Sequence, residues 1–161
     1  MTQTADPRLI LRDEELDSGL ELMLLAEASL WAAVDAALEA ETGLGRPHWR
    51  AAFLLRLRPG LGVRDLSRLT GLSKQAASRT LADLVRRELA ETEAGDLDGR
   101  RRPIRLTAAG RAFEDRIAER LRALLGRAYR TGGLDGVAGA RRILAALAGP
   151  RTGVGLRREE S

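Results

Sequence analysis

Residues 63–110 read VRDLSRLTGLSKQAASRTLADLVRRELAETEAGDLDGRRRPIRLTAAG. Leu66 and Leu69 put an apolar edge on a short helix that Gly71 ends, because the chain turns there most easily without a Cβ. Leu72 fills the corner, and the Ser73 hydroxyl is placed to cap a second helix over about 73–89. At 100° per residue, Ala77, Leu81, Leu84 and Val85 share the inward face of that helix. Gln75, Arg79, Ala82 and Arg86 share the outward face, with Ala76 and Asp83 at its flanks. An amide, two guanidinium groups and small residues on one stripe are the groups that read base edges in a major groove. We therefore assign base contacts to Gln75, Ala76 and Arg79, and phosphate contacts to Ser73, Lys74, Ser78 and Arg86.

The stretch that follows adds a hairpin. Residues 89–94 (LAETEA) are an extended run, GDLDG is a turn-rich tip, and RRRPIRL returns as a second strand. A hairpin directly after two helices joined by a tight turn is a wing. Asp98, Arg100, Arg101 and Arg102 stand on it, where arginine on an arm can enter a narrow minor groove. Asp98, two residues before Arg100, can orient that guanidinium.

These residues together resemble the MarR family of bacterial winged helix-turn-helix regulators. The match consists of Leu66, Gly71, Leu72, Ser73, Ser78, Arg79, Leu84 and Leu89. It continues through Asp98-x-Arg100, Ile104-x-Leu106-Thr107 and Gly110, and more loosely upstream through Leu44, Pro47 and Trp49. Two positions depart from the pattern: Glu88 replaces the usual glycine after the second helix, and Thr92 replaces a common wing arginine. The resemblance implies a homodimeric repressor on a pseudo-palindromic operator of double-stranded DNA. It also implies a crevice for a small aromatic or anionic effector. Trp31, His48, Trp49, Arg50, Phe53 and Phe113 are the residues suited to such a crevice, although the four aromatics are better suited to packing a core of leucine and alanine. Winged helices also serve as protein–protein modules, and Glu88, Glu91, Glu93 and Asp96 keep that alternative open.

Composition narrows the function classes. Over 161 residues, 44% are hydrophobic and only 3% aromatic, so the core is aliphatic and the composition favours helix. Residues 1–48 hold 3 arginines against 10 carboxylates (−7), and the remainder 24 basic against 13 acidic groups (+11), for a net +4. An acidic front and a basic remainder suit a phosphate partner for the second part. Without cysteine, thiol switching and Cys-based zinc sites are excluded. A single histidine builds no multi-His metal site, and no serine, cysteine or second histidine offers it a partner for nucleophilic catalysis. An enzyme is not expected, nor a cofactor. Residues 20–34 are interrupted by Glu21 and Glu27, so no membrane span is expected. The N-terminus lacks the pattern of a secretory signal, which points to the cytoplasm.

The expected architecture is mainly α with a small β-hairpin wing, a winged helix-turn-helix lobe joined to a helical dimerisation region. A long helix over 14–41 carries Leu16, Leu20, Met23, Glu27, Leu30, Val34 and Leu38 on one stripe, widened by Leu24 and Trp31. A second helix, 47–58, starts at Pro47 and offers Phe53, Leu54 and Leu57 for burial. After the wing, Thr107 caps a helix reaching about Arg130, with Phe113, Ile117, Leu121, Leu124 and Ala128 facing inward. Thr131-Gly132-Gly133 breaks it, and a last helix over 135–148 is capped by Asp135. Residues 1–13 and 151–161 read as tails, 47–106 as the DNA-binding lobe, and 14–46 with 107–149 as the dimerisation helices. The dimer contact is assigned to Leu16, Leu20, Val137, Ala140, Leu144 and Leu147, whose apolar surface exceeds what one lobe can cover.

Overall fold

The computed structural model describes residues 11–92 and 103–149. The order is α1 (Asp13–Leu38), α2 (Arg46–Leu57), α3 (Val63–Thr70), α4 (Lys74–Arg86), β1 (Ala90–Thr92), β2 (Ile104–Leu106) and α5 (Ala108–Ala148). The fold is thus mainly helical with one antiparallel hairpin, as the sequence implies. α5 bends at Gly133, whose φ of 66° and ψ of −179° leave helical space. That is the predicted break, with Asp135 falling in the first turn beyond it. No described helix is long and apolar enough to cross a membrane.

The helix-turn-helix closes through local bonds. Gly71 ends α3 at φ 75° and returns its N–H to the Ser67 carbonyl. Ser67 Oγ donates to the Leu72 carbonyl at 2.7 Å, so the corner is held by backbone and side chain together. Ser73 Oγ accepts from the Ala76 N–H at 3.1 Å, the expected cap of α4. At the other end of α4 the Glu88 N–H meets the Val85 carbonyl and the Leu89 N–H the Leu84 carbonyl, both at 2.9 Å. That pair of bonds places Glu88 in the left-handed region, at φ 58°.

β1 and β2 pair Ala90 with Leu106, Glu91 with Arg105 and Thr92 with Ile104. Leu61 adds a bridge to Ile104 on the far side, a third element that the sequence reading missed. Thr107 joins the wing to α5: its Oγ1 donates to the Glu88 carbonyl and accepts from the Gly110 N–H. A Cβ on Gly110 would lie 1.8 Å from the Leu89 carbonyl oxygen, so only glycine lets α5 start against the end of α4.

Core residues come from every helix: Val34 and Leu38, Leu55, Leu66, Leu81 and Leu84, Phe113 and Ile117. Two expectations are corrected. α2 buries Trp49, Ala51, Ala52 and Leu55, while Leu57 is exposed. The buried face is centred on Ala52 and Leu55, one helical step away from the one expected, with Phe53 and Leu54 half-buried at its border. On α5 the inner stripe holds through Leu124 and fails at Ala128, which is exposed because the helix has by then left the lobe.

Candidate nucleic-acid interface

Two faces of α4 divide the work. Ala77, Thr80, Leu81 and Leu84 are buried, and Thr80 satisfies its hydroxyl on the Ala76 carbonyl at 2.9 Å. Lys74, Gln75, Ser78, Arg79, Ala82 and Arg86 are exposed, with Ala76 half-buried beneath them. The side chains expected to reach bases and phosphates therefore share one solvent-facing surface. Ser73 is exposed as well, though its Oγ is already engaged in the cap. An open groove runs beside the stripe, lined by Ser78, Ala82 and Arg86 from α4, Arg64 and Asp65 from α3, and Thr92 and Pro103 at the wing base. Arg64 is exposed in the first turn of α3. The sequence does not single it out, because an arginine on the first helix of such a pair looks like any solvated cation until the fold sets it beside α4.

Charges behind this surface are not all solvated. Asp83 receives the His48 ring at 3.3 Å and pairs with Arg86 on its own helix. The bond from His48, and after it Arg86, hold the Asp83 carboxyl below the ordinary carboxylate range against the opposing effect of burial. The wing residues Asp98, Arg100, Arg101 and Arg102 lie outside the described residues.

The sequence profile of the MarR family matches residues 42–101, the segment that holds α2 to the wing. The HTH-type transcriptional regulator PetP of Rhodobacter capsulatus is 36% identical over 142 residues, 88% of this chain and 85% of that protein. The chain belongs to the MarR family of transcriptional regulators. A MarR family protein of Mycobacterium tuberculosis solved in complex with DNA superposes with a TM-score of 0.57 at 28% identity, over 79% of this chain and 94% of that one. The same organism's MarR family protein solved in complex with salicylic acid gives a TM-score of 0.58 at 27% identity, over 86% and 97% of the two chains.

Against this MarR frame, the aromatic set falls in two places. Trp31 and Trp49 meet edge to face with centroids 6.3 Å apart, and Phe53 tilts against Trp49 at 5.5 Å. Arg46 and Arg50 lie over the Trp31 ring at 5.1 and 5.7 Å, so this aromatic group carries a cationic rim. Arg50 also donates to the Thr70 carbonyl at 3.0 Å. Phe113 is wholly buried in the core. His48 caps the start of α2 by accepting the Gly45 N–H at 3.0 Å. Nearby, Arg46 fastens α2 to α1 through Asp35, with Nε 2.8 Å from Oδ1.

The residues assigned to a dimer contact sit at the two chain ends. Leu16, Leu20, Leu144 and Leu147 are exposed, and Val137 and Ala140 are half-buried. Glu114, which the sequence reading did not single out, is fully buried on α5, with Arg56 Nε 2.7 Å from its Oε2. The contact is an ion pair without aligned hydrogen bonds, since neither carboxylate oxygen meets a donor along a bonding direction.

Proposed function

We propose that this MarR-family regulator is a homodimeric repressor that holds a pseudo-palindromic operator through two copies of α4 and two wings. The exposed stripe of Gln75, Arg79, Ala82 and Arg86 above a buried apolar face carries this reading. An exposed helix of that chemistry at the end of a helix-turn-helix fits the major groove, with Gln75 and Arg79 near its N-terminus reading bases. Lys74, Ser78 and Arg86 then hold the backbone, and the arginines of the wing reach the minor groove. The DNA complex of the Mycobacterium relative supports DNA as the partner. Release by a small aromatic or anionic effector is supported by the cationic rim over Trp31 and by the salicylate complex of that relative. The basic remainder of the chain, +11 over residues 49–161, contains the lobe that faces DNA, and the acidic front lies away from it.

Selection of bound sequences from a random duplex pool tests this. A two-fold consensus should emerge, with half-sites about one helical turn, ~34–36 Å, apart. Gln75→Ala and Arg79→Ala should each relax particular positions of that consensus, by roughly 1–3 kcal/mol. A pool that shows no enrichment and no salt-dependent binding would leave the winged lobe as a protein-binding module.

A further inference from the structure

The start of α2 and the last turn of α4 are joined through His48, Asp83 and Arg87, none of which the proposed DNA docking uses. His48 accepts the Gly45 N–H on Nδ1, so its ring proton is assigned to Nε2, which lies 3.3 Å from Asp83 Oδ2. Asp83 points inward, its side chain only 20% exposed, and its other oxygen takes the Arg86 guanidinium. Arg86 itself is 69% exposed on the outward stripe. Next along the chain, Arg87 Nη1 donates to the Thr42 carbonyl at 2.9 Å, between α1 and α2. A Cβ on Gly43 would stand 2.4 Å from Arg87 Nη2, so the guanidinium packs directly against this glycine. The end of the reading helix is therefore moored to the α1–α2 corner at two successive levels.

We propose that His48, acting through Asp83, is a positioning residue for Arg86, so that the α1–α2 corner sets where α4 presents this guanidinium to a DNA phosphate. A carboxylate on the flank of a DNA-facing helix repels phosphate and competes with it for the nearest arginine. The His48 N–H draws the Asp83 carboxylate back against α2 and occupies one of its oxygens. Arg86 then rests on the other oxygen with its outer nitrogens turned to solvent. Without the imidazole, Asp83 swings outward, takes Arg86 with it and brings negative charge to the backbone. The inference rests on α4 being the DNA-contacting helix.

A double-mutant cycle on the duplex recovered by selection decides it, read as affinity against salt concentration. Arg86→Ala should weaken binding about tenfold and lower the salt slope by about one unit per subunit. His48→Ala should cost about fivefold, the loss of one hydrogen bond, and lower the slope in the same direction. In the Arg86→Ala background, His48→Ala should cost nothing further. His48→Gln, which keeps a donor toward Asp83, should bind like the parent protein. Where His48→Ala fails to fold, His48→Phe keeps the ring volume without the donor and serves in its place. The same loss from His48→Ala with and without Arg86, or an affinity loss with an unchanged slope, overturns the relay. A parent protein that shows no salt-dependent duplex binding instead removes α4 as the DNA-contacting helix, an outcome distinct from additivity in the cycle.

Discussion

In the winged lobe, Leu55, Leu66, Leu81 and Leu84 are each at most 2% exposed. On α1 and the second half of α5, Leu20, Leu24, Leu144 and Leu147 each keep more than half of their surface open. The two regions have similar amounts of leucine and opposite fates for it. The lobe is made of short helices that turn back on one another, so each apolar face finds a neighbour within the chain. The ends are long helices that run out of the lobe, and their faces outrun what the same chain can place against them. Exposed apolar surface on that scale marks an interface. The difference separates a part whose apolar faces the chain covers itself from a part whose faces it leaves open, the surface that the proposed homodimer would bury.

The sharpest way to break this comparison is to charge the ends. Leu144→Glu removes one leucine per subunit from the proposed contact and inserts a carboxylate there, and two-fold symmetry counts the change twice. Burial of a leucine contributes about 1.5–3 kcal/mol, so the dimer should lose roughly 3–6 kcal/mol. Light scattering should move from twice 17.5 kDa toward 17.5 kDa, with operator binding weakened in parallel. A variant that keeps the mass and the affinity of the parent would show that the open leucines of α5 are not the contact.

The next largest effect comes from the ion pair between Arg56 on α2 and the fully buried Glu114 on α5. Burial raises the Glu114 carboxyl above its ordinary value of 4.5, and Arg56 opposes that rise. Arg56→Leu leaves the carboxylate buried without its cation and should cost about 3–5 kcal/mol at neutral pH in chemical denaturation. The sign with pH follows from the raised value. A carboxyl that titrates higher in the folded chain adds stability below its unfolded pKa, and that stability is lost as pH rises through the folded pKa. The deficit of Arg56→Leu should therefore shrink as pH falls toward the ordinary carboxyl range. A deficit that is the same at both ends of that range would mean that Glu114 takes no part in it.

The two regions were also unequally legible in the sequence. Turn and cap residues act over three or four positions, so Gly71, Ser73 and Thr107 announce their roles by spacing (Gly110 stands out only through the family resemblance). Gly133 likewise marks the bend in α5. Periodicity gives the angle of a face without naming the neighbour it meets. That is why Leu57 was expected inside and lies outside, while Ala51 and Ala52 are buried. The pairs His48–Asp83 and Arg56–Glu114 join residues distant in the chain, which no local pattern encodes. Glu114 did leave a trace, because it lies between Phe113 and Ile117 on the apolar stripe of α5, where a solvated carboxylate does not belong.

Glu88 offers the smallest change and the finest test of how well the lobe is fitted. It sits just past α4 at φ 58°, in the position where the family pattern has glycine. The two bonds that fix this geometry, to Val85 and Leu84, run through the backbone and do not depend on the side chain. Left-handed backbone costs a residue with a Cβ roughly 1–2 kcal/mol, and glycine avoids that cost. Glycine also gains freedom in the unfolded chain, which takes back about 0.4–1 kcal/mol. Glu88→Gly should therefore stabilise the protein by about 0.5–1 kcal/mol, a rise in Tm of a few degrees at this chain length. Glu88→Ala removes the carboxylate from the C-terminal end of the helix while keeping the Cβ, so it separates charge from backbone strain. If the alanine variant gains as much as the glycine variant, the benefit comes from the charge. If only glycine gains, the lobe carries its strain at the turn between α4 and the wing.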